Sequence, residues 1–247
     1  MTPSSPQPSV QTSARISLVR YHDAEDWAEG VAGEIATVLA DEILRNGQAR
    51  LLLSGGTTPG PVYEALAENE ELDWSRLEVG LVDERWLSPD DSDSNAWLVR
   101  HSLMQHIDGA HFEPLVRPGL PLAECVHAAN VHAQHAAAPC LAVLGMGGDG
   151  HTASLFPGSL GLPKALSSQH LYTSLDATGC AGANKWPLRI TLTPAGLARA
   201  KNRMLLLRGK DKLRVLEAAL EGDDPMEYPI RVAMDLPGPR LRVHWCA

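Results

Sequence analysis

Apolar positions recur along this chain with two periods. Trp27, Val31, Ile35, Val38 and Leu39 follow helical spacing, which predicts a long amphipathic helix. Asp23 stands where its N-cap belongs, and Asp26 partly mimics the acid of a capping box. Just before it, residues 15–21 alternate around Ile16, Val19 and Tyr21, the pattern of a first strand. Short runs that are apolar or nearly so follow at 49–53, 77–82, 140–144 and 204–207. Such runs suit strands buried on both faces, as in a parallel sheet. Further strands are expected at 171–175, 188–192 and 243–245, with an extended piece at 111–116. Helices are expected from Pro59, over 97–104 and 121–135, and through Leu213, Leu216 and Leu220. His127, His132 and His135 on the third of these read as surface positions, because no carboxylate or cysteine spacing joins them into a metal site.

Strands alternating with helical patterns imply an α/β fold, a mostly parallel sheet covered on both faces by right-handed crossovers. Residues 1–14 are mostly Ser, Pro, Gln and Thr with no apolar centre, so a disordered tail is expected there and a secretory signal is not. Residues 15–247 then form the main domain, and 160–200, where the pattern is less regular, could hold a small second lobe.

Composition narrows the partners. The chain has 247 residues, 44% of them hydrophobic, with Lys+Arg 21 against Asp+Glu 30 for a net charge of -9. That suits one large domain and disfavours nucleic acid or an anionic membrane as a partner. An anionic metabolite remains compatible if positive groups are concentrated locally. The four cysteines make no CxxC pair, and their usage fits a reducing cytoplasm.

Four groups could carry chemistry. The first is the stretch from Gly145 to Gly158, Gly-Met-Gly-Gly-Asp-Gly-His-Thr-Ala-Ser-Leu-Phe-Pro-Gly, which starts where the 140–144 strand ends. Open α/β sheets bind ligands at that edge. His151 is placed to act as a base on water, with Asp149 two residues away; a purely structural histidine is the alternative. The second is Ser54-Gly55-Gly56-Thr57-Thr58-Pro59, whose backbone N–H and hydroxyl donors can cradle a phosphate or simply form a tight turn. It lacks both the GxxxxGK[ST] and the GxGxxG patterns, so neither ATP nor a nicotinamide is indicated. The third is Asp83-Glu84-Arg85, in which Arg85 could stabilise an oxyanion and Asp83 could orient a donor or base. Helix capping and internal pairing would equally account for it. The fourth is the set Lys185, Arg189, Arg208, Lys210 and Lys212 beside expected strand ends. Lys212 opens a helix, where the dipole disfavours a cation unless an anion is shared with it; Lys210 reads as ordinary solvated lysine.

Taken in order, Ser54 to Pro59, Asp83-Glu84-Arg85-Trp86 with Ser94-Asn95, the Gly145 to Gly158 block, Arg189-Ile190-Thr191, and Gly209 with Lys212 resemble the glucosamine-6-phosphate isomerase/6-phosphogluconolactonase family. The resemblance is to its lactonase branch and runs from Ile16 to Trp245. It implies a three-layer α/β/α domain with a modified Rossmann-like sheet. It also implies hydrolysis of 6-phospho-D-glucono-1,5-lactone in the pentose phosphate pathway, with no metal or redox cofactor. Gly55, Gly56, Thr57, Thr58 and Lys212 would then surround the phosphate, with Arg189 beside them. His151 would be the base, Asp83, Arg85 and Asp149 would shape the reacting end, and Lys185 is a second candidate for the oxyanion. The deaminase branch typically reads Asp-Glu-Tyr where this chain has Asp83-Glu84-Arg85, and carries a glutamate after the histidine where residues 152–157 here have none. A noncatalytic sugar-phosphate sensor is a further alternative. A monomer is expected.

Overall fold

The structure is a computed structural model that describes residues 8–183 and 185–247. Its first two strands, β1 (Ser9–Thr12) and β2 (Ile16–Arg20), pair antiparallel. The expected disordered tail is corrected here: part of it is β1, while residues 1–7 lie outside the described residues. All four β1 residues are exposed. The strand is held by backbone bonds along the edge of β2, which otherwise would be left unpaired, and no apolar pattern announces it.

The long helix α1 (Ala24–Asn46) begins where Asp23 accepts the N–H groups of Glu25 and Asp26 at 3.0 and 2.9 Å. It buries Trp27, Val31, Ile35 and Leu39. The chain continues through β3 (Ala49–Leu53), α2 (Gly60–Ala67), β4 (Leu77–Leu81), β5 (Asp83–Arg85) and α3 (Asn95–Ser102). Then come β6 (His111–Phe112), α4 (Leu122–His135) and β7 (Leu141–Leu144). After α5 (Leu162–Leu166) the order is β8 (Tyr172–Asp176), β9 (Leu188–Leu192), α6 (Pro194–Leu197), β10 (Asn202–Arg208), α7 (Lys210–Leu220), α8 (Arg231–Asp235) and β11 (Leu241–Cys246).

Eight strands make the main sheet in the order β1-β2-β11-β10-β7-β3-β4-β6, parallel throughout except for β1. Its central strands are buried almost completely, as the apolar runs require once helices cover both sides. From β3 the chain goes to β4 and β6 on one side; from β7 it goes to β10 and β11 on the other. The β3–β7 boundary is therefore the switch point, outside whose carboxyl ends ligands bind in such sheets.

Two expectations change with the tertiary structure. His132 is not a free surface group: its imidazole bonds Glu78 at 2.9 Å, beside the buried Arg50. The small lobe expected within 160–200 corresponds to β8 and β9, but these pair into a three-stranded antiparallel sheet, β5-β9-β8, whose third strand comes from residues 83–85. A separate apolar cluster of Leu155, Phe156, Leu162, Ala165, Leu175, Ala177 and Ala183 lies under it. Tyr172, Ile190 and Leu192 nonetheless belong to the main core, and Tyr172 donates to the Leu81 carbonyl at 2.8 Å. Among the described residues, no helix is long and apolar enough to cross a membrane.

Candidate active site

Four neighbouring strands at the middle of the sheet, β10, β7, β3 and β4, discharge their carboxyl ends toward one cavity of about 310 Å³. The Ser54–Pro59 loop leaves β3, and the Gly145 loop leaves β7. Gly209 turns β10 into α7, and β4 passes through Val82 into β5. The cavity is lined by Gly55, Gly56, Thr57, Thr58, Asp83, Arg85, His151, Arg189 and Lys212, so residues spread over most of the chain meet there.

The histidine loop is tightly specified. Gly147 N–H donates to the His151 carbonyl at 2.9 Å, and Thr152 Oγ1 donates to the Gly145 carbonyl at 2.9 Å. His151 Nδ1 and Asp149 Oδ1 lie 2.6 Å apart, and the same carboxylate accepts the His151 N–H at 3.1 Å. The ring of Phe156 packs 4.4 Å from the imidazole, centroid to centroid. Burial alone would raise the Asp149 carboxyl, but the hydrogen bond and charge of His151 outweigh it and hold the pKa below its usual value. The pairing leaves imidazole Nε2 as the nitrogen not engaged by Asp149, and a carboxylate at Nδ1 favours the tautomer in which Nε2 accepts a proton. A Cβ on Gly147 or Gly182 would lie 2.2 or 2.9 Å from His151 ring atoms, so both backbones must approach the pair closely. Ala153, on the cavity wall, holds φ at +48°, a left-handed conformation that costs a non-glycine residue energy.

The rest of the lining is basic and rich in donors. Gly209, at φ +88°, allows the sharp entry to α7, whose first turn carries Lys212. Lys212 has no carboxylate bonded to it among the described residues, and burial lowers its pKa against a smaller opposing pull from Asp149. The first turn of α7 adds the positive end of its dipole to that lining. Gly55 is backed by Asn95, whose side chain would stand 1.8 Å from a Cβ there.

Asp83 and Arg85 enter from β5. Asp83 Oδ2 accepts from Ser154 Oγ at 2.5 Å, and Asn95 Nδ2 donates to the Asp83 carbonyl and Oδ1 at 2.8 and 3.3 Å. Arg85 donates through Nη1 to the Asp93 carbonyl at 2.6 Å, while its buried Nε has no partner among the described residues. Arg189 faces Arg85 across the β5–β9 ladder. Its Nε and Nη2 bond the carbonyls of Trp186 and Ala183 at 2.6 and 2.9 Å, and its Nη1 lies 3.5 Å from Ser154 Oγ. Arg189 thus lies beside Arg85 and Ser154, and most of its donors already serve protein oxygens. Two expected residues stay out of the cavity lining: Asp149, which reaches it only through His151, and Lys185, which is largely exposed and ion-paired with Asp93.

The family described as Glucosamine-6-phosphate isomerases/6-phosphogluconolactonase matches residues 22–245. The chain belongs to this family. It is 62% identical over 234 residues to a 6-phosphogluconolactonase of Xylella fastidiosa (strain 9a5c), covering 95% of this chain and 98% of that one. A 6-phosphogluconolactonase of Pseudomonas aeruginosa is 40% identical over 238 residues, covering 96% of this chain and 97% of that protein. Among solved structures, a 6-phosphogluconolactonase from Shewanella baltica OS155 superposes with a TM-score of 0.83 at 32% identity, covering 97% of this chain and all of that one.

Membership of the family accounts for the motif order but not for how the motifs are held together. The sequence reading gives no role to Glu84, Asn95 or Gly182, and Ser154 enters it only as part of the histidine block. Glu84 and Asn95 lie inside recognised motifs, yet nothing in a linear pattern shows that strand alternation sends Glu84 away from Asp83 and Arg85. Gly182 sits in an irregular segment far in sequence from the histidine it touches.

Proposed function

We propose that the protein hydrolyses 6-phospho-D-glucono-1,5-lactone to 6-phospho-D-gluconate, the lactone-opening step of the oxidative pentose phosphate pathway. The observation that carries this reading is the pairing of the His151–Asp149 couple with Lys212 and the Gly55–Thr58 loop across one cavity. The 62% identical relative supports the choice of substrate.

In this mechanism the phosphate docks against Gly55, Gly56, Thr57, Thr58 and Lys212, and the lactone carbonyl is delivered to the His151 side. Imidazole Nε2 takes a proton from a water as its oxygen attacks carbon one. The oxyanion of the tetrahedral intermediate is stabilised by Arg85, for which Arg189 supplies a rigid and positive flank. As the bond from carbon one to the ring oxygen breaks, His151 returns the proton to that oxygen. The new carboxylic acid then ionises, so each turnover releases one proton. Asp149 stabilises the transient imidazolium and keeps its ring oriented. Positioning of substrate and water supplies the remaining advantage. With Lys185 engaged by Asp93, the oxyanion role falls to Arg85. The scheme calls for no metal or redox cofactor.

The deaminase alternative needs a further carboxylate beside the histidine, and residues 152–157 contain none; Phe156 packs on His151 instead. The proposal includes a monomeric, cytoplasmic protein; sedimentation at working concentration tests the first. Proton release on freshly generated lactone, with a buffer control for spontaneous opening, tests the reaction. Acid production well above buffer by the native protein, lost in His151→Ala with product affinity retained, is expected. A native rate equal to buffer refutes the activity, and near-normal turnover by His151→Ala refutes the base.

A further inference from the structure

Glu84 is fully buried, yet it lies between two residues that face the cavity. On the short strand β5, Asp83 and Arg85 point into the site, and the alternation of a strand turns Glu84 to the other face. There it meets the start of α3. Its Oε1 accepts the N–H of Asn95 at 2.7 Å and the N–H of Arg85 at 2.7 Å, and its Oε2 accepts the N–H of Ala96 at 2.8 Å. No arginine or lysine forms a salt bridge with this carboxylate among the described residues; its partners are three backbone donors, two from the first turn of a helix. Ser94 caps the same turn through the Trp97 N–H at 2.9 Å. The helix therefore already has a cap, and Glu84 is a second, buried anchor.

What this anchor holds is the reacting end of the cavity. One of its bonds fixes the peptide of Arg85 directly. Another fixes the backbone of Asn95, whose side-chain amide donates to the carbonyl and carboxylate of Asp83. Asp83 in turn bonds Ser154 in the histidine loop. Burying a carboxylate without a counter-ion opposes folding, and burial pushes the Glu84 carboxyl up to about 7. A leucine-like residue would fill the space without that cost but would leave three N–H groups unpaired.

We infer that Glu84 is a positioning residue for lactone opening, which aligns Arg85 and, through Asn95, Asp83 against the His151 loop without touching substrate. The inference rests on the lactonase reading and assigns a role to a residue which that mechanism does not use. Glutamine is nearly isosteric but presents an N–H₂ group to backbone donors, so at least one of the three bonds is lost.

The test compares wild type, Glu84→Gln and Asn95→Ala for kcat in the proton-release assay, for affinity for 6-phosphogluconate by calorimetry, and for folding by near-UV circular dichroism. The expected result for each folded variant is a kcat about tenfold or more below wild type, the scale of a lost charge-assisted bond. Product affinity should stay within about threefold, because Lys212 and the threonine loop hold the phosphate. The double variant should be no worse than Glu84→Gln, since both changes interrupt one chain of contacts. If Glu84→Gln does not fold, Glu84→Asp takes its place, because it keeps the carboxylate but shortens its reach to the three N–H groups. A kcat within twofold of wild type, or equal losses in kcat and product affinity, overturns the inference. Failure of wild type to exceed the buffer rate is a different outcome, which refutes the lactonase reading itself.

Discussion

Replacing Lys212 with methionine should move two measurements in opposite directions. Lys212 projects from the first turn of α7 into the cavity wall, half-buried and, among the described residues, without a bonded carboxylate. Its burial is unfavourable while the cavity is empty, which is why its pKa is lowered. A bound phosphate would supply the missing anion. Methionine keeps a stem of similar length to pack against the wall but brings no charge. Loss of one charge-assisted bond, about 1.5–3 kcal/mol, corresponds to a roughly 10- to 150-fold weaker Kd for 6-phosphogluconate. The unliganded protein should melt at the same temperature as wild type or higher, because a costly buried ammonium has been removed. Calorimetric titration with product and thermal unfolding without it measure the two effects on one preparation. Repeating the titration at higher salt should lower wild-type affinity more than that of the variant. A Kd within twofold of wild type would refute the phosphate role. A fall in melting temperature of more than about 4 °C, roughly 1 kcal/mol or more for a domain of this size, would show instead that the ammonium stabilises the empty fold.

Gly182→Ala should slow turnover, since its Cβ would stand 2.8 Å from Asp149 and 2.9 Å from His151; unchanged kcat with the fold intact would mean the segment yields freely. Lys185→Gln should leave kcat within about twofold, because that ammonium is committed to Asp93 outside the cavity lining; a large loss in kcat at constant KM would return it to the oxyanion. Glu84 gives a prediction for stability against pH. Its folded pKa of about 7 lies above the ordinary glutamate value of 4.5, so the folded state holds the proton more tightly than the unfolded one. Its contribution therefore falls as pH rises through that window, by about 3 kcal/mol in all, and denaturant curves should show wild type losing ground to Glu84→Gln between about pH 5 and about pH 8. A constant difference across that range would refute the assignment. Asp149 works in the opposite sense: its lowered pKa adds stability above the usual aspartate range that is lost as pH falls through the folded value.

Much of this molecule can be read without coordinates, for a physical reason. The central strands are apolar because both their faces are covered, so Ala49–Leu53 carries its boundaries in its own composition. Helix α1 declares itself through a period of apolar residues and the cap at Asp23. The glycines at the ends of β3 and β7 mark backbone that must approach a ligand or another chain segment closely, and the order of the motifs carries the family. These are local consequences of burial and backbone freedom, and they are written along the chain.

Other features arise only from pairing at a distance. Strand β1 has no apolar signature because its stability comes from the backbone edge of β2. Residues 83–85 carry no strand pattern of their own; they form a strand of a second sheet because β9, more than 100 residues later, supplies the partner. That pairing turns Glu84 inward and sets Arg189 beside Arg85. Lys185 and Lys212 look alike in sequence, two lysines near strand ends, yet Asp93 captures one outside the cavity and the turn at Gly209 directs the other into it. Which residues exist to do chemistry is a property of the chain. Which of them meet depends on contacts between segments that composition and periodicity do not encode.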